Sequence, residues 1–513
     1  MMKQKIILSM LCLLLLVFVL SGVSYGWQGR MGGAGDPYGL LSDESDLLVN
    51  PAGIARGEGI KFYSHYRFTY TDVTSWNFNL DQILLTGLLF NVFDYDTSGQ
   101  EYSHNALLGA ATPLGSGRFG IFFTYDGMRG DYEGDENILA MSNFAEYELM
   151  SDLDNFAVRL MYGLPVGGMD TGFELGMAYR DEMQNTWILG PTFYIQNNIN
   201  SFGAAPYTDL LPFMIPYDSH YWELLWKAGM EKALGPLGVN ASVRGGYIIS
   251  SDNNYQAPFQ SPVGTTLYNV DMEGDVAGWR IGSDIWVRVP GGSGMTLPFL
   301  FSIDYAEKKR DGDGVATGLL DTGLIYDYTH KEQSLDLKAG GGITKELGGT
   351  MLVAAGLYYN YLQGSDDVSF SRSDLYTSDN SEMPSYMEHR VIVKLTGEVE
   401  LSPAVTLRMG LEPFYGWVRE DFAFDLTNPA LLFSDDISLA GYRWGIGGSL
   451  GGSVSFDSFT MEPFFNVGWQ QFSLEGDGAD ARAGGVIANL WGMGLSRDEW
   501  YIGGGCSFLY DMP

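Results

Sequence analysis

Segments of this chain alternate apolar and polar residues with a period of two, and the charges of each gather on one face. Trp279, Ile281, Ser283, Ile285, Val287 and Val289 interleave with Arg280, Gly282, Asp284, Trp286 and Arg288. Val391, Val393, Leu395, Gly397, Val399 and Leu401 do the same against Arg390, Lys394, Glu398 and Glu400. A β-strand sends successive side chains to opposite faces, so each segment has a greasy side and a charged side. The charged sides collect Lys61, Arg67, Arg159, Arg180, Lys227, Arg244, Arg280, Arg288, Lys338, Arg390, Lys394, Arg408 and Arg443. They also collect Glu174, Glu223, Glu231, Asp284, Asp304, Asp336, Glu398, Glu400, Glu412 and Glu462. A cation facing lipid at mid-membrane costs about 2–4 kcal/mol, so exposing even half of these to a bilayer would exceed the ~5–15 kcal/mol stability of most folds.

Whether the charged side faces bulk water or an enclosed lumen depends on where the chain goes. Lys3 and Lys5 precede an apolar run, Ile6 to Leu20, and small residues at Ser24 and Gly26 suit cleavage before Trp27. That is an export signal over 1–26, and the apolar run is short for the ~20 residues of a membrane-spanning helix. Cys12 lies inside this run, which leaves Cys506 as the one cysteine of the mature chain, with no intramolecular disulfide to form. Bacterial export fits a large secreted fold that does without disulfides. The remaining chain carries 27 basic against 63 acidic residues, a net charge of −36, which excludes nucleic acid as a partner. With aromatic residues at strand ends, the pattern is that of an outer-membrane β-barrel, its apolar residues toward lipid and its charges toward a wet lumen.

Turn residues divide the chain into hairpins. Pro113-Leu114-Gly115-Ser116-Gly117, Gly167-Gly168, Gly235-Pro236, Pro290-Gly291-Gly292-Ser293-Gly294, Gly348-Gly349 and Ser402-Pro403 mark tight turns. The pairs predicted are 102–113/118–127, 154–164/171–181, 221–233/237–249, 278–290/296–306, 333–345/349–362, 387–402/404–418 and 440–456/459–474. With a first strand near 59–71 and a last at 499–510, the antiparallel barrel has 14–16 strands, sixteen being the best count. Long loops are expected at 73–101, 128–153, 182–220, 250–277, 307–332, 363–386, 419–439 and 475–498, extracellular if the tight turns are periplasmic. Residues 27–58 are not strand-like; on composition alone they are either a Gly-rich linker or a folded hatch, and 59–513 form the barrel.

Gly29-Arg30-Met31-Gly32-Gly33-Ala34-Gly35, an acidic stretch Asp43-Glu44-Ser45-Asp46, and then Asn50-Pro51-Ala52-Gly53 just ahead of strand 1 resemble the opening of the FadL/TodX family. These are outer-membrane transporters for long-chain fatty acids and aromatic hydrocarbons; PorV-like barrels have a similar opening. The resemblance covers about 30 residues in motif terms. It implies an N-terminal hatch inside the barrel, involving Gly32, Gly33, Asn50, Pro51 and Ala52, with hydrophobic ligand capture by external loops and lateral exit through the wall. The chain departs from the family in strand number, fourteen there, and in ending Tyr510-Asp511-Met512-Pro513 beyond its last aromatic residue. Physically, Pro51 fixes its own φ and holds Asn50 extended, making a stiff bend before strand 1.

Two of the predicted loops are oddly apolar: one holds Leu84, Leu85, Leu88 and Phe90, the other Leu210, Leu211, Phe213 and Met214. Exposed apolar patches mark binding sites or covered surfaces, so these are either a greasy acceptance site or a lid. Asp311-Gly312-Asp313-Gly314 and Asp94-Tyr95-Asp96 lack the spacing of a calcium loop and read as solvated charge runs. The five histidines show no metal-ligand spacing and no nucleophile has a recognisable setting, so no metal, cofactor or catalytic site is expected. The expectation is passive uptake of a hydrophobic solute by a barrel in contact with outer-membrane lipid and lipopolysaccharide. A barrel binding an envelope protein partner, as in PorV-like systems, and a general diffusion porin are the alternatives. Lumen-facing positions are headed by Lys61, Arg67, Arg280, Arg288, Arg390 and Lys394.

Overall fold

A computed structural model describes residues 49–84, 89–138, 141–189, 217–260, 266–318, 324–372, 376–428, 431–482 and 486–512, with backbone alone at the strand tips flanking the gaps. The segment predicted as an export signal and most of the Gly-rich segment, Gly32 and Gly33 included, lie outside these residues. Among the described residues a short 3-10 helix, Pro51–Arg56, is followed by strands only. They are β1 Ile60–Leu84, β2 Leu89–Leu114, β3 Gly117–Ile138, β4 Met141–Val166, β5 Met169–Leu189, β6 Tyr217–Leu234, β7 Leu237–Gln260 and β8 Thr266–Gly292. The second half holds β9 Met295–Gly318, β10 Leu324–Leu347, β11 Met351–Arg372, β12 Tyr376–Ser402, β13 Val405–Asn428, β14 Leu431–Phe456, β15 Phe459–Arg482 and β16 Val486–Met512.

Each strand pairs antiparallel with the next, and β1 closes against β16 from Ile60↔Met512 to Leu84↔Asn489. Sixteen strands therefore form one closed barrel, which leaves no unpaired edge. All seven predicted hairpins are present, and their tight turns lie at the end where β1 starts and β16 finishes. Gly167 and Gly168 both take left-handed φ, 59° and 75°, as a two-residue hairpin turn between twisted strands requires.

Alternation sorts the side chains. On β5, Phe173 and Leu175 are 60 % and 55 % exposed on the outer face, whereas Glu174 between them is buried on the inner one. The same split runs round the barrel, through Trp226, Ile281, Phe299, Phe301, Leu357 and Ile446 on the outside. Aromatic pairs bound this apolar belt at the end away from the tight turns. Tyr70–Tyr102 (5.4 Å), Tyr179–Trp222 (5.1 Å), Trp279–Tyr305 (5.1 Å) and Trp444–Trp469 (4.5 Å) follow one another round the wall. On β9 the belt covers 297–305, a rise of roughly 20 Å at ~3.3 Å per residue and ~40° tilt, near the ~25 Å of a transmembrane barrel's apolar band.

The structure corrects the long loops. Where they are described, the stretches predicted as loops are strand: β1 runs on to Leu84, β2 begins at Leu89, and β9 continues through the charge run to Gly318, while 190–216 of the predicted loop 182–220 lie outside the described residues. Beyond the aromatic ring these strands rise by roughly 30 Å more on β9. Pairing continues there because each strand satisfies its neighbour's backbone. The period-two signal fades because the outer face, no longer against an apolar medium, is polar as well. Asp311 and Asp313 are accordingly strand residues: Asp311 accepts from Lys309 (2.7 Å) and Thr329 (2.8 Å).

Candidate functional site

The 3-10 helix lies inside the barrel near the tight-turn end and is seated on the wall. Asn50 caps it: its Oδ1 accepts from the Ala52 N–H at 3.0 Å, and its carbonyl accepts from the Gly53 N–H at 3.1 Å. Pro51 follows at the first helical position, where a missing N–H costs nothing. The Asn50 Nδ2 donates to the carbonyls of Met230 (3.1 Å) and Ala241 (3.2 Å) and to the Asn240 side chain. Two wall glycines make the approach feasible. A Cβ on Gly229 would fall on the Asn50 amide, and one on Gly172 would fall on the Pro51 carbonyl. Ile54 then packs among Tyr63, Leu107, Ala111, Phe122 and Met161, and Arg56 pairs with Glu231 and lies 3.8 Å from Asp170.

Further round the barrel the inner face carries an apolar, aromatic patch. Trp286 on β8, Leu300 on β9, Ala354 and Tyr358 on β11 and Ile392 on β12 pack together, with Leu352 and Phe414 against them. Cations border it: Arg288 lies 4.0 Å from the Trp286 ring centre, Arg390 5.1 Å from Phe414 and Lys394 5.3 Å from Tyr358. Two of these cations also have carboxylate partners. Arg390 bonds Glu388 (2.6 Å), and Lys394 lies 3.6 Å from Glu412. Much of the remaining inner face is laced with ion pairs, among them Arg159–Glu174 (2.8 Å), Arg280–Glu223 (2.6 Å), Arg408–Glu462 (2.6 Å) and Arg497–Glu101 (2.5 Å). In low dielectric such pairs satisfy each other and leave little free charge to select ions.

Of the six cations singled out in the sequence, Arg288, Arg390 and Lys394 come together round the patch. Arg280 is on the Glu223 cluster, Lys61 is 3.4 Å from Asp511, and Arg67 is half-buried on β1. Asn50, Pro51 and Ala52 form the seated turn. Of the expected ligand residues, Leu85, Leu88, Leu210, Leu211, Phe213 and Met214 lie outside the described residues, and Leu84 and Phe90 are described as strand backbone only. Sequence reasoning missed the aromatic patch, although Trp286 on a charged face was its visible trace. It also missed Glu182, Lys308 and Arg310, which fell in presumed loops. No group of three or more metal-binding side chains occurs among the described residues.

No family model matches the chain, and no curated protein sequence does. Among solved structures it is similar to the P. putida toluene transporter TodX, with 11 % identity over 95 % of this chain and 99 % of that one and a TM-score of 0.40. A TodX mutant described as a monoaromatic hydrocarbon channel shows 12 % identity over the same shares, with a TM-score of 0.44. A Pseudomonas aeruginosa FadL homologue shows 11 % identity over 96 % and 98 %, with a TM-score of 0.39. These superpositions are loose; the barrel rests on its own register, strand by strand.

Proposed function

We propose that the protein is an outer-membrane channel for passive uptake of hydrophobic small molecules such as long-chain fatty acids or aromatic hydrocarbons. The observation that supports this most is the patch of Trp286, Leu300, Tyr358, Ile392 and Phe414 on the inner wall. A porin serving polar solutes has no use for an aromatic, apolar cluster set among the ion pairs of its lumen. The seated turn at Asn50 narrows the tight-turn end, so a solute moving inward passes between a plugged side and a greasy side. Transfer is driven by successive partition between sites, with no energy-coupling element required. The belt of outward apolar residues under an aromatic ring supports residence in the outer membrane, in contact with lipid and lipopolysaccharide, and the tight turns are then periplasmic.

The test is binding and conductance on the same purified protein. A fluorescent fatty acid and toluene are titrated against the wild type and against Ile392→Asp, which sets a carboxylate in the patch. Saturable binding that is lost in Ile392→Asp, with little steady current in a planar bilayer, is the expected result. A large steady current with no saturable binding would make the protein a diffusion porin instead.

A further inference from the structure

The wall between β5 and β9 carries a second closure, well above the Asn50 seat. Glu182 on β5 bonds Arg310 (2.7 Å) and Lys308 (3.0 Å) on β9, and both cations also pair with Glu332 on β10. Tyr221 on β6 donates to the free Glu182 oxygen at 2.6 Å. Elsewhere on the inner face the strand-to-strand ion pairs given above join adjacent strands or strands with one between them. Here β6, β7 and β8 lie between the partners.

Four strand steps of ~4.8 Å make about 19 Å of wall, too wide a span for one arginine and one glutamate across an evenly curved surface. The wall must therefore turn a corner, and the register shows where. On β7 the pairing with β6 slips between Trp222 and Glu223, leaving Ile249 as the extra residue, and the pairing with β8 is interrupted between Tyr247 and Asn253. Such a bulge bends its strand and increases the local twist. In the interrupted stretch the Ser251 hydroxyl takes the Val276 N–H at 2.7 Å in place of a ladder carbonyl. The corner closes on itself: the Arg310 side chain is 1 % exposed, although its strand position points it at the lumen, and Ser219, opposite Glu182, is fully buried.

We propose that Glu182, Lys308, Arg310 and Glu332 form an ionic clasp that holds this corner shut, a gate built into the upper lumen over β6–β8. A buried charge set is well suited to two states. Intact, it is satisfied; with one member neutralised, the others draw in water and the corner opens. The proposal needs the closed barrel only, not the hydrophobic cargo, so the two can fail independently.

The test reads the closure directly in the barrel chain without residues 1–26, which leaves out Cys12. Ser219→Cys, in a Cys506→Ser background, is exposed to a water-soluble maleimide after folding into detergent micelles, with heat-modifiable migration reporting the fold. Slow labelling is expected with the clasp intact, and labelling roughly tenfold faster once Glu182→Gln is added. If Glu182→Gln fails to fold, Lys308→Gln removes one cation, leaves Arg310 in place and is expected to shift the rate the same way. Fast labelling with the clasp intact, or unchanged slow labelling in a folded clasp variant, would overturn the gate.

Discussion

The belt and the collar above its aromatic ring are the same sheet with different rules. In the belt, neighbours on one strand face opposite worlds: Leu175 meets an apolar surround while the Glu174 side chain is 1 % exposed against Arg159 and Lys227. In the collar the inner face is still sorted, as Glu182 and Arg310 show. The outer face carries Asp154, Asp181 and Asp252, which water solvates whatever the pattern. What differs is the medium on one side. Sequence alternation therefore records the medium and not the strand itself.

Neighbouring substitutions on β5 test this, beginning with the largest effect. Glu174→Ala leaves Arg159 and Lys227 without their shared carboxylate in a buried setting, and about 3–5 kcal/mol of stability is expected to go. Unfolding by urea in lipid vesicles measures it. Leu175→Arg, one residue on, puts a cation on the outer face of the belt and is expected to cost about 2–4 kcal/mol in the same assay. If Leu175→Arg proved neutral, the belt would not face hydrocarbon and the membrane reading would be falsified.

This contrast also accounts for how much of the molecule was legible. The seven hairpins, the closed antiparallel barrel and the charged inner cations stood out wherever strands cross the belt, because there the medium enforces a period of two. The strand lengths did not. Lys308, Lys309, Arg310 and Asp311 read as a solvated loop, since no apolar partner alternates with them, yet they are paired strand. At the candidate site, the Asn50 and Pro51 turn was visible as a stiff bend, while its seat was not. Gly229 and Gly172 are far from it in sequence, and only barrel closure brings them beneath it. The aromatic patch was hidden for the same reason, its members scattered singly over β8, β9, β11, β12 and β13.

The seat is a local feature of the lower belt, so its loss is expected to be smaller and confined. Asn50→Ala removes the cap of the 3-10 helix and its donations to the Met230 and Ala241 carbonyls. A loss of about 1–3 kcal/mol is expected in docking the turn, leaving the barrel's urea midpoint near that of the wild type. Faster proteolysis near residues 49–58 in the folded protein is the measurement. A fall in the barrel midpoint equal to the docking loss would mean that seat and wall fold as one unit, and that the turn is part of the wall and not a plug seated on it.

The smallest effect belongs to the collar's outer face. Asp181 lies directly opposite Asp154 on β4 and 3.0 Å from the His220 ring on β6. Asp181→Lys removes a like-charge opposition, which is stabilising by a few tenths of a kcal/mol, and gives up the His220 contact, which is half-exposed and worth no more. The net change is expected to stay within about 0.5 kcal/mol in the urea assay. Leu175→Arg and Asp181→Lys thus place a cation on the same face of the same strand, six positions apart. A collar substitution as costly as the belt one would mean that the apolar surround extends past the aromatic ring, and that the collar is embedded too.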